Sequence, residues 1–236
     1  MRAVYIERDF QKSETVVLGK EKAHHLLNVV RVKETEVVLL LNGKGTTATA
    51  SLVKLSKKEI TMEILEVKKY SETSNIHLTV GITKKEAFTK IIKSAVELGV
   101  KSILPYTSQY SQSYPLNYQR QQKLIESSCE QSNNPYFLEL KETSSFEDLT
   151  DTFKEYDVIV YFTPKAQDPT TKPKLQIKND KILIIIGPEG GLAQGEEEKI
   201  QQLENVFFIN LPTPILRAET AAITSIGYLL GLESCH

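Results

Sequence analysis

The sequence predicts an α/β protein: a mostly parallel sheet covered by helices, preceded by a small β-rich domain that closes as a barrel. Three observations carry this. Before residue 70, β-branched runs are split by turns. From residue 76 onward, short apolar runs alternate with helical patterns, as strand–helix–strand units do. Between the two, residues 68–75 (KKYSETSN) are polar and aperiodic, a natural linker.

In the first domain, strands are expected at residues 3–7, 15–18, 36–41, 47–55 and 59–67. Asn42-Gly43-Lys44-Gly45 supplies the positive-φ residues of a tight hairpin. Residues 20–30 (KEKAHHLLNVV) have helical spacing, with Ala23, Leu26, Leu27 and Val30 on one face. A small barrel with one crossing helix suits single-stranded or irregular RNA. His24, His25 and Arg31 lie in that helix or at its end. They read either as an exposed edge with one packed histidine, or as contacts to RNA phosphate and base. Neither histidine has a partner at metal-ligand spacing, so no metal is expected.

In the second domain, residues 76–82 read as a strand and 87–98 as a helix with Ile91, Ile92, Ala95, Val96 and Leu98 inward, ended by Gly99. A strand at 102–106 and a polar helix at 118–131 follow, stopped by Asn133-Asn134-Pro135. Then come a strand at 137–140, a helix at 146–153, strands at 157–162 and 182–186, a helix at 195–203, a strand at 206–211 and a last helix at 219–232. Residues 163–180, rich in Pro, Lys and Thr, form the one long loop, a lid or a disordered segment by expectation.

No apolar run is long enough to span a bilayer, and the amino end lacks a basic-then-apolar signal pattern. Cys129 and Cys235 have no metal or redox spacing, so a reduced cytoplasmic setting is the default. Net charge is −1, but residues 1–75 carry +3 and 76–236 carry −4, placing any phosphate-binding face on the first part.

The runs 182–186 and 206–211 each empty into a conformationally special loop: Gly187-Pro188-Glu189-Gly190-Gly191 and Pro212-Thr213-Pro214. Ligands in open α/β sheets sit beyond the carboxyl ends of strands, so these loops together predict one pocket. The three glycines admit positive φ and let a ligand approach where no Cβ stands. A phosphate loop is excluded because the Gly-Lys-Ser/Thr ending is missing. No Gly-x-Gly-x-x-Gly supports a dinucleotide fold either. Leu216-Arg217-Ala218-Glu219-Thr220-Ala221-Ala222 opens the final helix, with Glu219 in a first turn that favours an acid. As structure alone, Arg217 and Glu219 form a capping and pairing device. As function, backbone groups of both loops hold an adenine-bearing ligand, while Arg217 and one glutamate face the reacting atom.

GPEGG followed by ILRAETAA resembles the SPOUT-class RNA methyltransferases, and more narrowly the 16S ribosomal RNA uridine-N3 methyltransferase family, methyltransferase E of the small subunit. Weaker matches run along the chain: Arg2, His25-Leu26, Val30-Arg31, KSAVELG from Lys93 to Gly99, Pro105, and Glu130-Gln131-Ser132 before Pro135. The resemblance implies a PUA-like barrel over residues 1–70 and a SPOUT domain over 76–236, with a trefoil knot around 157–225. It also implies a homodimer acting on 16S rRNA, within the 30S subunit, with S-adenosyl-L-methionine as cofactor. The cofactor residues so implied are Phe162, Thr163, Ile186, Gly187, Pro188, Glu189, Gly190, Gly191, Leu211, Ile215, Leu216, Arg217, Ala218, Thr220 and Ala221. The RNA contacts are Arg2, His25, Arg31 and Lys93. Two departures stand out: Ser108-Gln109-Tyr110-Ser111 replaces a segment containing Glu-Arg-Ser, and Asn133 or Asn134 replaces an arginine.

Methylation of uracil N3 needs positioning and removal of a proton. Arg217 is expected to stabilise the negative charge that results. Glu189 or Glu219 is expected to accept the proton where burial favours its neutral form. The base must leave its stack, and Tyr106, Tyr110 and Tyr114 are candidates to stack on it, though such tyrosines more often pack. The competing readings are ribose 2′-O methylation, a non-catalytic RNA-binding scaffold and an adenine-nucleotide module.

Overall fold

The computed structural model describes residues 2–24, 26, 27, 32, 33, 36–56, 58–71, 74–111, 114–166 and 179–233. It divides into two compact units, Met1–Glu72 with Glu126–Phe137, and Thr73–Ile125 with Leu138–His236.

The first unit is a five-stranded sheet of β1 (Arg2–Tyr5), β2 (Thr15–Leu18), β3 (Val37–Leu41), β4 (Thr46–Leu55) and β5 (Ile60–Lys69), in the order β1-β3-β4-β5-β2. Only β1 and β3 run parallel; the remaining pairs are antiparallel. Val4, Val16, Leu40, Ala50, Met62 and Leu26 meet in one apolar core. The β3–β4 turn uses Gly43 at φ 73° and Gly45 at φ 86°. The Asn42 side chain accepts from the Lys44 and Thr46 amides at 2.8 and 2.9 Å, so this asparagine closes the turn it begins. Helix α1 (Lys20–His24) covers only the start of the helix expected over 20–30; residues 25 and 28–31 lie outside the described residues. Strand β5 runs into the expected linker and takes Lys68 and Lys69 with it.

The sequence reading placed residues 126–137 in the second domain, whereas they pack on the first. Backbone hydrogen bonds explain the difference: Gly45 N–H donates to Pro135 O at 2.9 Å and Phe137 N–H to Gly43 O at 3.0 Å. The Tyr136 hydroxyl donates to Tyr70 O at 2.5 Å, and the Phe137 ring lies 4.1 Å from that of Tyr5. Asn133, at φ 55°, makes the left-handed step that ends helix α3 (Tyr118–Ser132). Asparagine is among the few residues that tolerate that conformation, so it stands there for a backbone reason.

The second unit is a parallel sheet in the order β12-β10-β11-β6-β7-β8. Its strands are β6 (Ile76–Gly81), β7 (Ser102–Thr107), β8 (Glu139–Leu140), β9 (Ser144–Ser145), β10 (Val158–Phe162), β11 (Ile182–Ile186) and β12 (Val206–Ile209), with β9 also on β7. Helices α2 (Lys85–Glu97), α4 (Phe146–Thr152), α5 (Gln194–Gln201) and α6 (Ala218–Glu233) complete it. β11 is buried along its whole length, and side-chain alternation sends it both ways. Leu183 and Ile185 join Phe146, Leu149, Tyr161 and Ile200 on one face. α2 and α6 pack together on the other, with α6 against β11. β12 ends at Ile209 rather than residue 211, which releases Asn210 and Leu211 into the loop beyond it. Residues 167–178 of the long loop lie outside the described residues. Among the described residues no helix is long and apolar enough to cross a membrane.

Candidate active site

β11, buried between β10 and β6, delivers the first special loop at its carboxyl end. Gly191 N–H donates to Pro188 O at 2.9 Å, closing a four-residue turn. Gly191 alone of the three loop glycines has positive φ, 76°. At Gly190 the constraint is different: an added Cβ would stand 3.0 Å from Tyr110 Cβ, a tight approach. At Gly187 the nearest atom to an added Cβ is 3.7 Å away, an ordinary contact, so only its place in the cavity wall asks for glycine. The turn is also held from behind. The Tyr106 hydroxyl reaches across the sheet to donate to Ile186 O at 3.0 Å. Gly81, at the end of β6, lies so close that an added Cβ would sit 2.5 Å from Pro188 N.

The second loop runs from β12 to α6. Thr213 N–H donates to Leu211 O at 2.7 Å, and its hydroxyl to Pro214 O at 3.0 Å. Ala221 N–H then donates to Arg217 O at 2.8 Å, starting α6. Both loops wall one cavity of about 800 Å³. Of the residues the sequence implied, Phe162, Thr163, Ile186, Gly187, Pro188, Glu189, Gly190, Gly191, Leu211, Ile215, Leu216, Arg217, Ala218, Glu219 and Ala221 line it. Thr220 does not: it is exposed, turned off the cavity by helical geometry, where neighbours differ by about 100°.

Three lysine–glutamate pairs edge the cavity. Lys84, just ahead of α2, lies 3.9 Å from Glu189, and Lys90, on α2, lies 3.8 Å from Glu219. Lys165 meets both oxygens of Glu197 at 3.0 and 2.8 Å. Glu219 is the more enclosed candidate carboxylate, its side chain 13% exposed against 40% for Glu189. The pairing of Arg217 with Glu219 is not formed; Lys90 takes that carboxylate instead. Among the described residues Arg217 makes no ion pair, so its guanidinium is available at the cavity. Tyr161, also in the wall, sits 3.4 Å from Glu197 Oε1, and burial followed by that carboxylate pushes its hydroxyl up to about 12. It therefore stays a neutral donor at physiological pH.

The remaining expectations divide. Tyr106 is wholly buried and cannot stack on a base. Tyr110 is 52% exposed and Tyr114 half-buried. Arg2 is paired with Glu36 at 3.0 Å, and Lys93 is exposed on α2 but does not line the cavity. His25 and Arg31 lie outside the described residues. Lys84, Lys90, Lys165, Glu197 and Tyr161 also line the cavity and belong to no motif of the sequence. Their one signal in the sequence is their position beside a strand end or on a helix that opens at one.

Two domain families match the chain, an RNA methyltransferase domain over residues 70–230 and an RNA methyltransferase PUA domain over residues 18–65. A ribosomal RNA small subunit methyltransferase E from Mesomycoplasma hyopneumoniae is 32% identical, over 90% of this chain and 93% of the relative. One of the same description from Rickettsia conorii is 28% identical over 98% and 96%. The crystal structure of ribosomal RNA small subunit methyltransferase E from Neisseria gonorrhoeae, bound to S-adenosyl methionine, superposes with a TM-score of 0.87 at 26% identity and covers 98% of both chains.

Proposed function

The chain belongs to the ribosomal RNA small subunit methyltransferase E family of RNA methyltransferases, and from that premise we propose that it methylates N3 of a single decoding-region uridine of 16S rRNA within the 30S subunit. The cofactor is S-adenosyl-L-methionine. One observation carries the reading: the two loops after β11 and β12 wall a single cavity with Arg217 at its edge.

The cavity fits the cofactor. Its volume, about 800 Å³, is that of sites for ligands of this size. Phe162, Ile186, Leu211, Leu216 and Ala218 offer apolar walls for the adenosine part, and Gly187, Gly190 and Gly191 expose bare backbone. When bound, S-adenosyl-L-methionine supplies a methyl group already activated by a sulfonium. The chain therefore has chiefly to position and to manage charge. Uracil N3 has a usable lone pair only after its proton leaves, and the negative charge then spreads to the two carbonyl oxygens. Arg217 stabilises that charge. Glu189 and Glu219 are the carboxylates placed to accept the proton. A trefoil knot of the SPOUT class around residues 157–225 and a homodimer that completes the site belong to the same reading; the resemblance of GPEGG and ILRAETAA supports both. The first unit, with Arg2, His25 and Arg31, and Lys93 on α2 bind RNA.

The test offers labelled S-adenosylmethionine with naked 16S rRNA, 30S subunits and 70S ribosomes, then maps the product. Label in 3-methyluridine on 30S subunits supports the proposal. A 2′-O-methylated nucleoside replaces base with ribose chemistry, and RNA binding without transfer replaces enzyme with scaffold. Arg217→Ala should abolish turnover while cofactor affinity is kept; normal turnover removes Arg217 from the mechanism.

A further inference from the structure

We propose that Tyr110 is the platform on which the target base stacks as it enters the cavity, a positioning role that rests on the reading above. Three tyrosines compete for that role, and the geometry separates them. Tyr106 is spent in the core, its hydroxyl held by Ile186 O. Tyr114 is half-buried. Tyr110 is 52% exposed, so half of its surface is open to a ligand.

Its place is beside the donor loop. Tyr110 Cβ and carbonyl oxygen lie 3.0 and 3.3 Å from where a Cβ on Gly190 would be, and Gly190 lines the cavity. With no positive φ at 190, the close approach of Tyr110 is the constraint the structure shows on that residue.

Hydrogen bonds hold the backbone on either side of the ring, at residues 108, 109 and 111. Glu196 uses one oxygen to accept from Ala193 N at 2.8 Å, the return half of a capping box on α5, and the other to accept from Gln109 N at 3.0 Å. Ser111 Oγ accepts from Ser108 N at 2.9 Å, and Ser111 N donates to Ser108 O at 3.0 Å. A ring on a pinned loop loses little freedom on binding, so most of its stacking energy reaches affinity. A base extruded from its stack needs such a π-face, and stacking makes no demand on hydrogen-bonding pattern.

The experiment measures methylation of unmodified 30S subunits by Tyr110→Phe, Tyr110→Leu and Tyr110→Ala, with S-adenosylmethionine affinity by calorimetry. Stacking of ordinary strength predicts that Ala and Leu raise KM for the subunit about 5- to 100-fold. Phe should stay within about 2-fold, and all three should bind the cofactor normally. Leucine keeps the bulk against Gly190 without the π-face, so a merely structural role would spare it. Unchanged KM in Ala, equal loss in Phe and Ala, rescue by Leu, or a parallel loss of cofactor affinity each overturns the assignment. Wild-type protein that transfers no methyl to 30S subunits overturns the functional reading itself, a failure seen before any variant is made.

Discussion

The Tyr106 hydroxyl donates to the Ile186 carbonyl at 3.0 Å, across the intervening strand β6 and 80 residues along the chain. Ile186 is the last residue of β11, so this bond fixes where the glycine-rich turn starts. Tyr106→Phe leaves a buried carbonyl with one fewer donor. It should cost about 1–2 kcal/mol in urea unfolding, together with a several-fold weaker S-adenosylmethionine affinity. Unaltered affinity would mean the turn sets its own position.

Gly81 and the loop glycines should separate by mechanism. Gly81→Ala drives a Cβ to 2.5 Å from backbone at Pro188, which can yield only if the turn shifts; a loss of 2 kcal/mol or more, roughly, and at least about tenfold in cofactor affinity should follow. Gly191→Ala meets nothing within 4 Å but must hold φ 76°, costing about 1–2 kcal/mol. Gly187→Ala should change stability by less than about 0.5 kcal/mol. Calorimetry and thermal melts on the three variants check the order.

The proton acceptor can be found by pH. Glu189→Gln and Glu219→Gln should differ. The variant lacking the acceptor loses turnover at neutral pH and recovers it as the medium grows alkaline enough to ionise uracil N3 unaided. The other keeps a flat profile. Recovery in neither variant would assign the proton to water.

His77 should govern acid stability. Its Nδ1 lies 2.6 Å from Ser102 Oγ, and burial, then Lys181, lower its pKa to about 4. The unfolded chain takes up that proton near pH 6.5, the folded chain only near 4, so between these values unfolding binds a proton and acid favours it. The His77 contribution should fall from pH 6.5 towards 4, by roughly 2–3 kcal/mol, and change no further below that. His77→Asn should flatten that limb in urea titrations at stepped pH.

Much of this molecule can be read in its sequence where one local pattern fixes the outcome. β11 was placed to the residue because Ile182–Ile186 is an unbroken apolar run between a lysine and a glycine. The two loops that share the cavity were identified from glycine, proline and their strand context. Illegible were the partners that only folding brings close. Lys84 and Lys90 meet Glu189 and Glu219 from more than a hundred residues away, and no periodicity ranks one surface lysine above another. Gly81 looked like an ordinary strand end until Pro188 stood against it. Tyr106 and Tyr110 looked equivalent as letters; strand pleating buries the first and a pinned loop presents the second.

The return of residues 126–137 to the first unit bears on synthesis. Gly43 and Gly45 are made early, yet the backbone groups that bond them belong to Pro135 and Phe137. A nascent chain thus cannot finish its amino-terminal unit until some ninety further residues have emerged, by which time β6, α2 and β7 of the next unit are already outside. Assembly of the two is interleaved in time, and cutting the gene after residue 72 would yield a unit with an open seam.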